Sequence, residues 1–538
     1  MAQVAAAGAF RKEAAGWGGL LFAWALLAGL PLFLRPLLPI DETRYATVAW
    51  EMWVRGDFLV PRLNGHPYSD KPPLLFWLIH LGWRVFGVNE AWPRLVPALF
   101  SLANLCLTAA LARRLWPDRP AVARSAPAVL IGFLLWSVFT GMLMFDMLVA
   151  FCALLALLGL LEAWRRGGIL PWLQVGTALG LGILAKGPVV FLAPLFVAVL
   201  APWWGRRPGW RAEWRWWAGL AGAMVLAAAL ALAWALPAAR AGGPAYGNAI
   251  LFSQTGDRMV HSFAHRRPAW WYLALLPGLL FPYSLWPPLW SALGRLRSGP
   301  ADPGVRFGLA WTVPAFAAFS AISGKQPHYL LPLLPGLALL AARLLDETAP
   351  ATTRWPRWTR WHAALPTAFL LLVSVALAAA PLLAPRPGWP LWVARVSPVA
   401  GVLLGLAAAA GLAAFHRIFP GRPAAPTLFS LALVSALHAG GSAAIHQAYD
   451  IGPAARYLAS AERQGRPVAW AGEYHGQLHF LGRLRRPFEQ IPSGSERLWL
   501  SAHPGGEVVE DLDRLPTAGP RPGFVQPYRT GVLAVWGS

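Results

Sequence analysis

Lysine is so rare in this chain that its positions carry a chemical signal. The 538 residues include only four, Lys12, Lys71, Lys186 and Lys325, and arginine supplies the remaining positive charge. Three of them stand in turn-like settings: Asp70-Lys71-Pro72-Pro73, Ala185-Lys186-Gly187-Pro188 and Gly324-Lys325-Gln326-Pro327. A compact ammonium is a point-charge partner for phosphate oxygens, and an arginine such as Arg258 adds a two-pronged one. Asp41, Glu42, Asp70, Glu90 and Asp146 are acids that fall on the same side in the topology drawn below. One carboxylate can take the proton of an attacking hydroxyl, while fixed cations stabilise a departing phosphate. Any single lysine is explained equally well as a snorkelling anchor. Three on one face point instead to a shared anionic ligand.

The elements that must position these groups are apolar. Hydrophobic residues make up 57% of the chain and charged ones 13%, against roughly 25% charged in a soluble domain, so lipid is the expected solvent. The net charge of +22 does not imply nucleic acid, because the arginines sit in short clusters between apolar runs. Cys106 and Cys152 both lie inside such runs, which supports neither a disulfide framework nor a thiolate metal site. About thirteen spans are expected, near 17–38, 92–112, 126–144, 147–164, 170–185, 188–204, 217–238, 270–292, 307–322, 329–345, 363–384, 396–415 and 426–445. The first is too long for a signal-peptide core. With the N-terminus inside, every inner loop is basic, beginning with Arg113/Arg114/Arg119/Arg124 and Arg165/Arg166. Lys71, Lys186 and Lys325 then all lie at outer interface turns, and an odd number of spans places the C-terminal tail outside.

Counting 72–87 as a span would invert this alternation, so it is read as an amphipathic helix in the outer interface. The first outer loop is then 39–91. It opens with a helix whose apolar face is Tyr45, Val48, Ala49, Met52 and Trp53. Asp41 and Glu42 stand at its N-terminus, where helix capping is a structural alternative for Asp41. Asp146 interrupts a tight hairpin between two spans, and an outer-face arginine is its structural alternative as partner. The expected fold is an α-helical polytopic membrane domain over 1–447 and a small soluble α/β domain over 448–538. In the latter, only Tyr474, His475 and Gln477 form a cluster, read as packed surface.

The ordered motifs resemble those of the bacterial aminoarabinose lipid A transferases and, more broadly, the protein O-mannosyltransferase-like GT-C superfamily. They are Pro39-Ile40-Asp41-Glu42-Thr43-Arg44-Tyr45-Ala46, Tyr68-Ser69-Asp70-Lys71-Pro72-Pro73-Leu74 and Gly87-Val88-Asn89-Glu90-Ala91-Trp92-Pro93-Arg94-Leu95. Leu184-Ala185-Lys186-Gly187-Pro188, Gln254-Thr255-Gly256-Asp257-Arg258-Met259 through His265-Arg266-Arg267-Pro268, and Lys325-Gln326-Pro327-His328-Tyr329-Leu330-Leu331-Pro332 follow. No single piece is specific; the ordered set, over about 17–345, is. The resemblance implies an inverting transfer of sugar from a polyprenyl (undecaprenyl) monophosphate to a lipid, glycan or protein acceptor at the periplasmic face of a bacterial inner membrane. Asp41 then matches the essential first-loop aspartate and Asp146 an aspartate of the cavity. Lys71, Arg258 and Tyr329 match positions that contact the lipid phosphate, joined by Tyr68, with Lys186 and Lys325 alongside. Glu42, Asp70 and Glu90 are further candidates. Asp70 stands where the aminoarabinose enzymes carry a glutamate that, with a loop histidine, can hold a divalent metal. Here that loop reads Gln254-Thr255-Gly256-Asp257, so a divalent metal stays open but unsupported; His261 and His265 are nearby, though a lone loop histidine is more often a hydrogen-bonding residue than a ligand.

Two other classes compete. A transporter or flippase of anionic polyprenyl lipids would need charges along a path through the membrane. The charges here gather on one side of Ala/Leu-rich spans. A structural scaffold would leave the three outer lysines unexplained.

Overall fold

Seven helices are long and apolar enough to cross a bilayer among the residues described by the computed structural model, 2–205, 213–253, 266–295, 302–348, 363–384, 389–418, 424–516 and 521–537. They are Gly16–Leu34, Ala91–Leu115, Asp146–Arg166, Trp214–Gly242, Pro327–Asp346, Ala364–Leu383 and Thr427–Arg463. At 1.5 Å per residue, about 20 residues match the hydrocarbon thickness, and the chain is a multi-pass membrane protein. Helix α1 (Ala2–Leu34) leads into α2 (Asp41–Arg55), α3 (Leu74–Phe86), α4 (Ala91–Leu115), α5 (Pro120–Gly132), α6 (Leu134–Phe139), α7 (Asp146–Arg166) and α8 (Leu170–Lys186). Helix α7 is central, with most of its residues buried, whereas Trp214–Gly242 is peripheral and turns Val225, Leu232 and Leu236 outward. Those outward side chains face the solvent that the composition called for.

Several expected spans are interrupted, and the interruptions have local causes. The run at 126–144 is two helices, because Phe133 adopts an extended backbone between α5 and α6. The groups this frees are taken up by neighbours: Leu134 N–H donates to the Phe281 carbonyl at 2.9 Å, and the Ser430 hydroxyl donates to the Gly132 carbonyl at 2.6 Å. Broken helices survive at membrane depth only with such replacement partners. In 188–204 and 270–292, prolines at 188, 194, 202, 277, 282, 287 and 288 divide the runs into short helices.

Residues 39–91 fold into the two short helices expected of them, with a hairpin between. Tyr45, Val48, Ala49 and Met52 bury one face of α2, which Gly56 ends in a left-handed conformation. Helix α3, with 13 residues, is too short to span; it buries Leu75, Phe76, Ile79 and Trp83 and exposes Leu81, Val85 and Phe86. Between them, β1 (Arg62–Leu63) and β2 (His66–Pro67) form a hairpin closed by Asn64 and Gly65, both at positive φ, the combination a tight two-residue turn requires.

After the last long helix, β3 (Val468–Ala471), β4 (Glu489–Ile491), β5 (Glu507–Leu512), β6 (Phe524–Tyr528) and β7 (Gly531–Gly537) build a mixed sheet in the order β4-β3-β5-β7-β6. Strand β3 is parallel to β4 and β5, and β7 is antiparallel to β5 and β6. This unit rests on α2. The Thr47 hydroxyl donates to the Gly476 carbonyl at 2.7 Å and accepts from Phe480 N–H at 3.1 Å, and the Trp50 indole donates to the Leu484 carbonyl at 2.7 Å. Asn64 exchanges two hydrogen bonds with the Phe488 backbone, and Trp83 stacks on Phe480 with ring centroids 5.4 Å apart.

Candidate functional site

Asp41 begins α2, yet it does not cap it. Ile40 holds the capping position with no side-chain cap, so the capping alternative is corrected. Its carboxylate Oδ1 is instead bonded by the Arg44 guanidinium and by the Tyr45 hydroxyl at 3.4 Å. That places acid, cation and phenol at i, i+3 and i+4, one face of a helical turn. The Asp41 side chain is 40% exposed, in contrast to its neighbours. Tyr45 packs edge-on against Phe145 with centroids 4.9 Å apart, and Tyr68 is buried within electrostatic range of Arg44 and Tyr45.

Glu42, one residue on, is buried and points the other way. Its oxygens accept from Arg35, from Leu38 N–H at 2.8 Å and from Leu143 N–H at 2.7 Å. Burial works against its charge, but Arg35 and Arg94 hold the carboxyl below its ordinary range. This clamp ties α2 to α1 and to the 141–143 turn before α7.

The second cluster is centred on Asp146, in the first turn of α7 and 3% exposed. Its partner is not the arginine considered above but Lys186, whose Nζ donates to Oδ1 at 2.7 Å from the last turn of α8. The same ammonium lies 4.6 Å from the centre of the Tyr329 ring, a cation–π arrangement. His328 Nε2 stands 3.9 Å from Asp146 Oδ2. The charges of Asp146, Lys186, Asp41 and Lys71 all act on the His328 ring, so the two clusters are one neighbourhood.

Not every candidate joins it. Lys325 is buried, and its ammonium donates to the carbonyls of Ile322 and Arg267, the latter at 2.9 Å. There it closes the bend that also carries the Arg266–Gly324 bridge. Glu90 is exposed just before α4. Asp70 and Lys71 are half-buried in the approach to α3 and engaged with neighbouring groups. Arg258, His261 and His265 lie outside the described residues. Among the described residues no group of three His, Cys, Asp or Glu could hold a metal. Arg44, Tyr45 and His328 belong to the cluster although residue type alone does not single them out. Helical spacing from Asp41 marks the first two, and only the fold brings His328 to Asp146.

Residues 70–234 match the family described as dolichyl-phosphate-mannose-protein mannosyltransferase. The chain is also similar to bacterial transferases of that general kind. The undecaprenyl phosphate-alpha-4-amino-4-deoxy-L-arabinose arabinosyl transferase of Pseudomonas paraeruginosa is 34% identical over 337 residues, 62% of this chain and 60% of the relative. A namesake from Pseudomonas fluorescens is 30% identical over 373 residues, covering 67% of this chain and 62% of the relative. The matched region thus spans about three fifths of these relatives. The crystal structure of ArnT from Cupriavidus metallidurans bound to undecaprenyl phosphate superposes with a TM-score of 0.71 at 22% identity, covering 97% of each chain. The chain therefore has the fold of that structure, and the resemblance carried by the ordered motifs holds.

Proposed function

We propose that this chain is an integral-membrane, inverting glycosyltransferase that moves a sugar from a polyprenyl monophosphate, undecaprenyl phosphate in bacteria, to a hydroxyl or phosphate of an acceptor. The observation that carries this reading is the convergence of one partly exposed carboxylate, Asp41, with Arg44, Lys71, Lys186 and the tyrosines 45, 68 and 329 beneath the α2–α3 roof. The names of the relatives supply the donor class. In the reaction, the acceptor O–H gives its proton to Asp41 as its oxygen attacks the anomeric carbon. The bond from that carbon to the phosphate oxygen breaks with its electron pair on the phosphate. Lys71, with Arg258 and Tyr329, stabilises the charge that builds there. Asp41 has an exposed edge from which to work, whereas Glu42 is committed to its buried clamp.

On this reading the site is periplasmic, in a bacterial inner membrane. The seven long helices and the shorter broken ones make about thirteen crossings. Residues 1–447 are the catalytic membrane part, and 448–538 a periplasmic unit braced on the first loop. The acceptor is a lipid, a glycan or a protein. The test is mass spectrometry of lipids that co-purify with the protein, followed by transfer assays with the donor so found. Recovery of a polyprenyl phosphate and transfer dependent on Asp41 support the proposal. A protein that binds no polyprenyl phosphate and transfers no sugar refutes it.

A further inference from the structure

Asp146 and His328 are both more than nine-tenths buried, at 3% and 6% exposure, and they face one another without touching. Lys186 takes up Oδ1 of the carboxylate. Oδ2 is buried too and has no hydrogen-bond partner among the described residues. A buried carboxylate oxygen in that condition is costly. His328 Nε2, the nearest polar atom given for it, is 3.9 Å away, beyond hydrogen-bonding distance. Two polar atoms at that separation can share one group placed about 2.8 Å from each. The group must donate to a carboxylate, which only accepts, and meet an imidazole nitrogen that can donate or accept. A sugar hydroxyl does both. The ring is also held in place: Phe139 lies 5.5 Å from His328 and Tyr329 stands edge-on to it at 4.8 Å, between centroids. Tyr329 in turn sits over the Lys186 ammonium, so this gap adjoins the groups assigned to the donor phosphate.

We propose that the Asp146–His328 gap is the sugar-recognition subsite, taking one hydroxyl (or amino group) of the donor's sugar between Oδ2 and Nε2. Resting on the transferase reading above, it deepens that reading by assigning sugar selectivity to His328. The phosphate is gripped elsewhere, so lipid binding and sugar binding separate experimentally. The probes are undecaprenyl phosphate itself and undecaprenyl phosphate carrying 4-amino-4-deoxy-L-arabinose or a hexose, bound to the full-length protein in nanodiscs. His328→Phe should bind the sugar-free lipid within about twofold of wild type and lose at least about tenfold for the glycolipid that wild type prefers. That loss corresponds to one hydrogen-bonded group at about 1.4 kcal/mol. His328→Gln, whose amide reaches the place of Nε2, should recover much of the preference. Asp146→Asn should also blunt it, and thermal unfolding of each variant identifies any that merely fail to fold. Equal loss for both lipids, or no loss for either, would overturn the subsite, as would a wild type that binds the bare lipid and every glycolipid alike. A wild type that binds none of these lipids would instead overturn the transferase reading.

Discussion

Thr47 and Gly476, 429 positions apart, are joined by a 2.7 Å hydrogen bond from the threonine hydroxyl to the glycine carbonyl. The same hydroxyl accepts Phe480 N–H, so one side chain holds two backbone groups of the C-terminal unit against the helix that begins with Asp41. Gly476 has a φ of +79°, and a Cβ there would come within 2.5 Å of Leu63 and 3.2 Å of Thr47. The contact is close enough that little except glycine and a small hydroxylated residue fits.

Replacing Thr47 by valine keeps the shape and leaves both backbone groups unpaired, at about 1–3 kcal/mol for each. The expected outcome is faster amide exchange across 476–488 and a several-fold loss of transfer, read by hydrogen–deuterium exchange and a donor-turnover assay. Unchanged exchange would mean that the contact does not brace α2.

Asp41→Asn should lower turnover by at least about a hundredfold, the usual scale for losing a positioned base, while donor binding and thermal stability stay near wild type. Glu42→Gln should do the reverse in kind. Removing one partner from a buried ion pair costs about 3–5 kcal/mol, so poor yield and a lowered melting temperature are expected. Turnover at the wild-type rate by the Asp41 variant would remove it from the chemistry.

Lys71→Ala should weaken binding of undecaprenyl phosphate about tenfold as well as slow transfer, and Lys71→Arg should restore more binding than turnover. The measurement is a lipid titration by native mass spectrometry alongside initial rates. Full-strength lipid binding by the alanine variant would exclude Lys71 from the phosphate site.

Acid should loosen the contact between roof and sheet. Burial depresses both His80 and His479 to about 4, from an ordinary value of 6.5. Tyr474 donates to His479 Nδ1 at 2.7 Å, and the Nε2–H donates to the Arg486 carbonyl at 3.0 Å, so the neutral ring is the one that fits. The unfolded chain takes up protons as pH falls through 6.5, and the folded chain does not until about 4. The stability these rings contribute is therefore present above 6.5 and is lost on going down to 4. Between pH 7 and 5 each is expected to cost about 2 kcal/mol. Melting curves at the two pH values check this, with His479→Gln flattening the difference.

The sequence made some of this arrangement legible and hid the rest for physical reasons. The buried face of α2 and the shortness of α3 follow from periodicity and length, which are local. The break at Phe133 does not, because Phe281 and Ser430, far along the chain, make it tolerable. The lysine count drew three cations together, yet the fold uses Lys325 to close a bend and Lys186 to hold Asp146. Residue type signalled a charge but not its partner. His328 carried no signal of its own, since the 182 positions separating it from Asp146 are bridged only by packing.

Protein synthesis meets the long separation of Thr47 and Gly476 as a delay. The ribosome makes α2 early and its clasp hundreds of residues later, so for most of translation the first loop has no sheet beneath which to settle. A half-made chain would therefore have its acid without its scaffold. The first loop is clasped only once the 476–488 segment has been made and reaches α2.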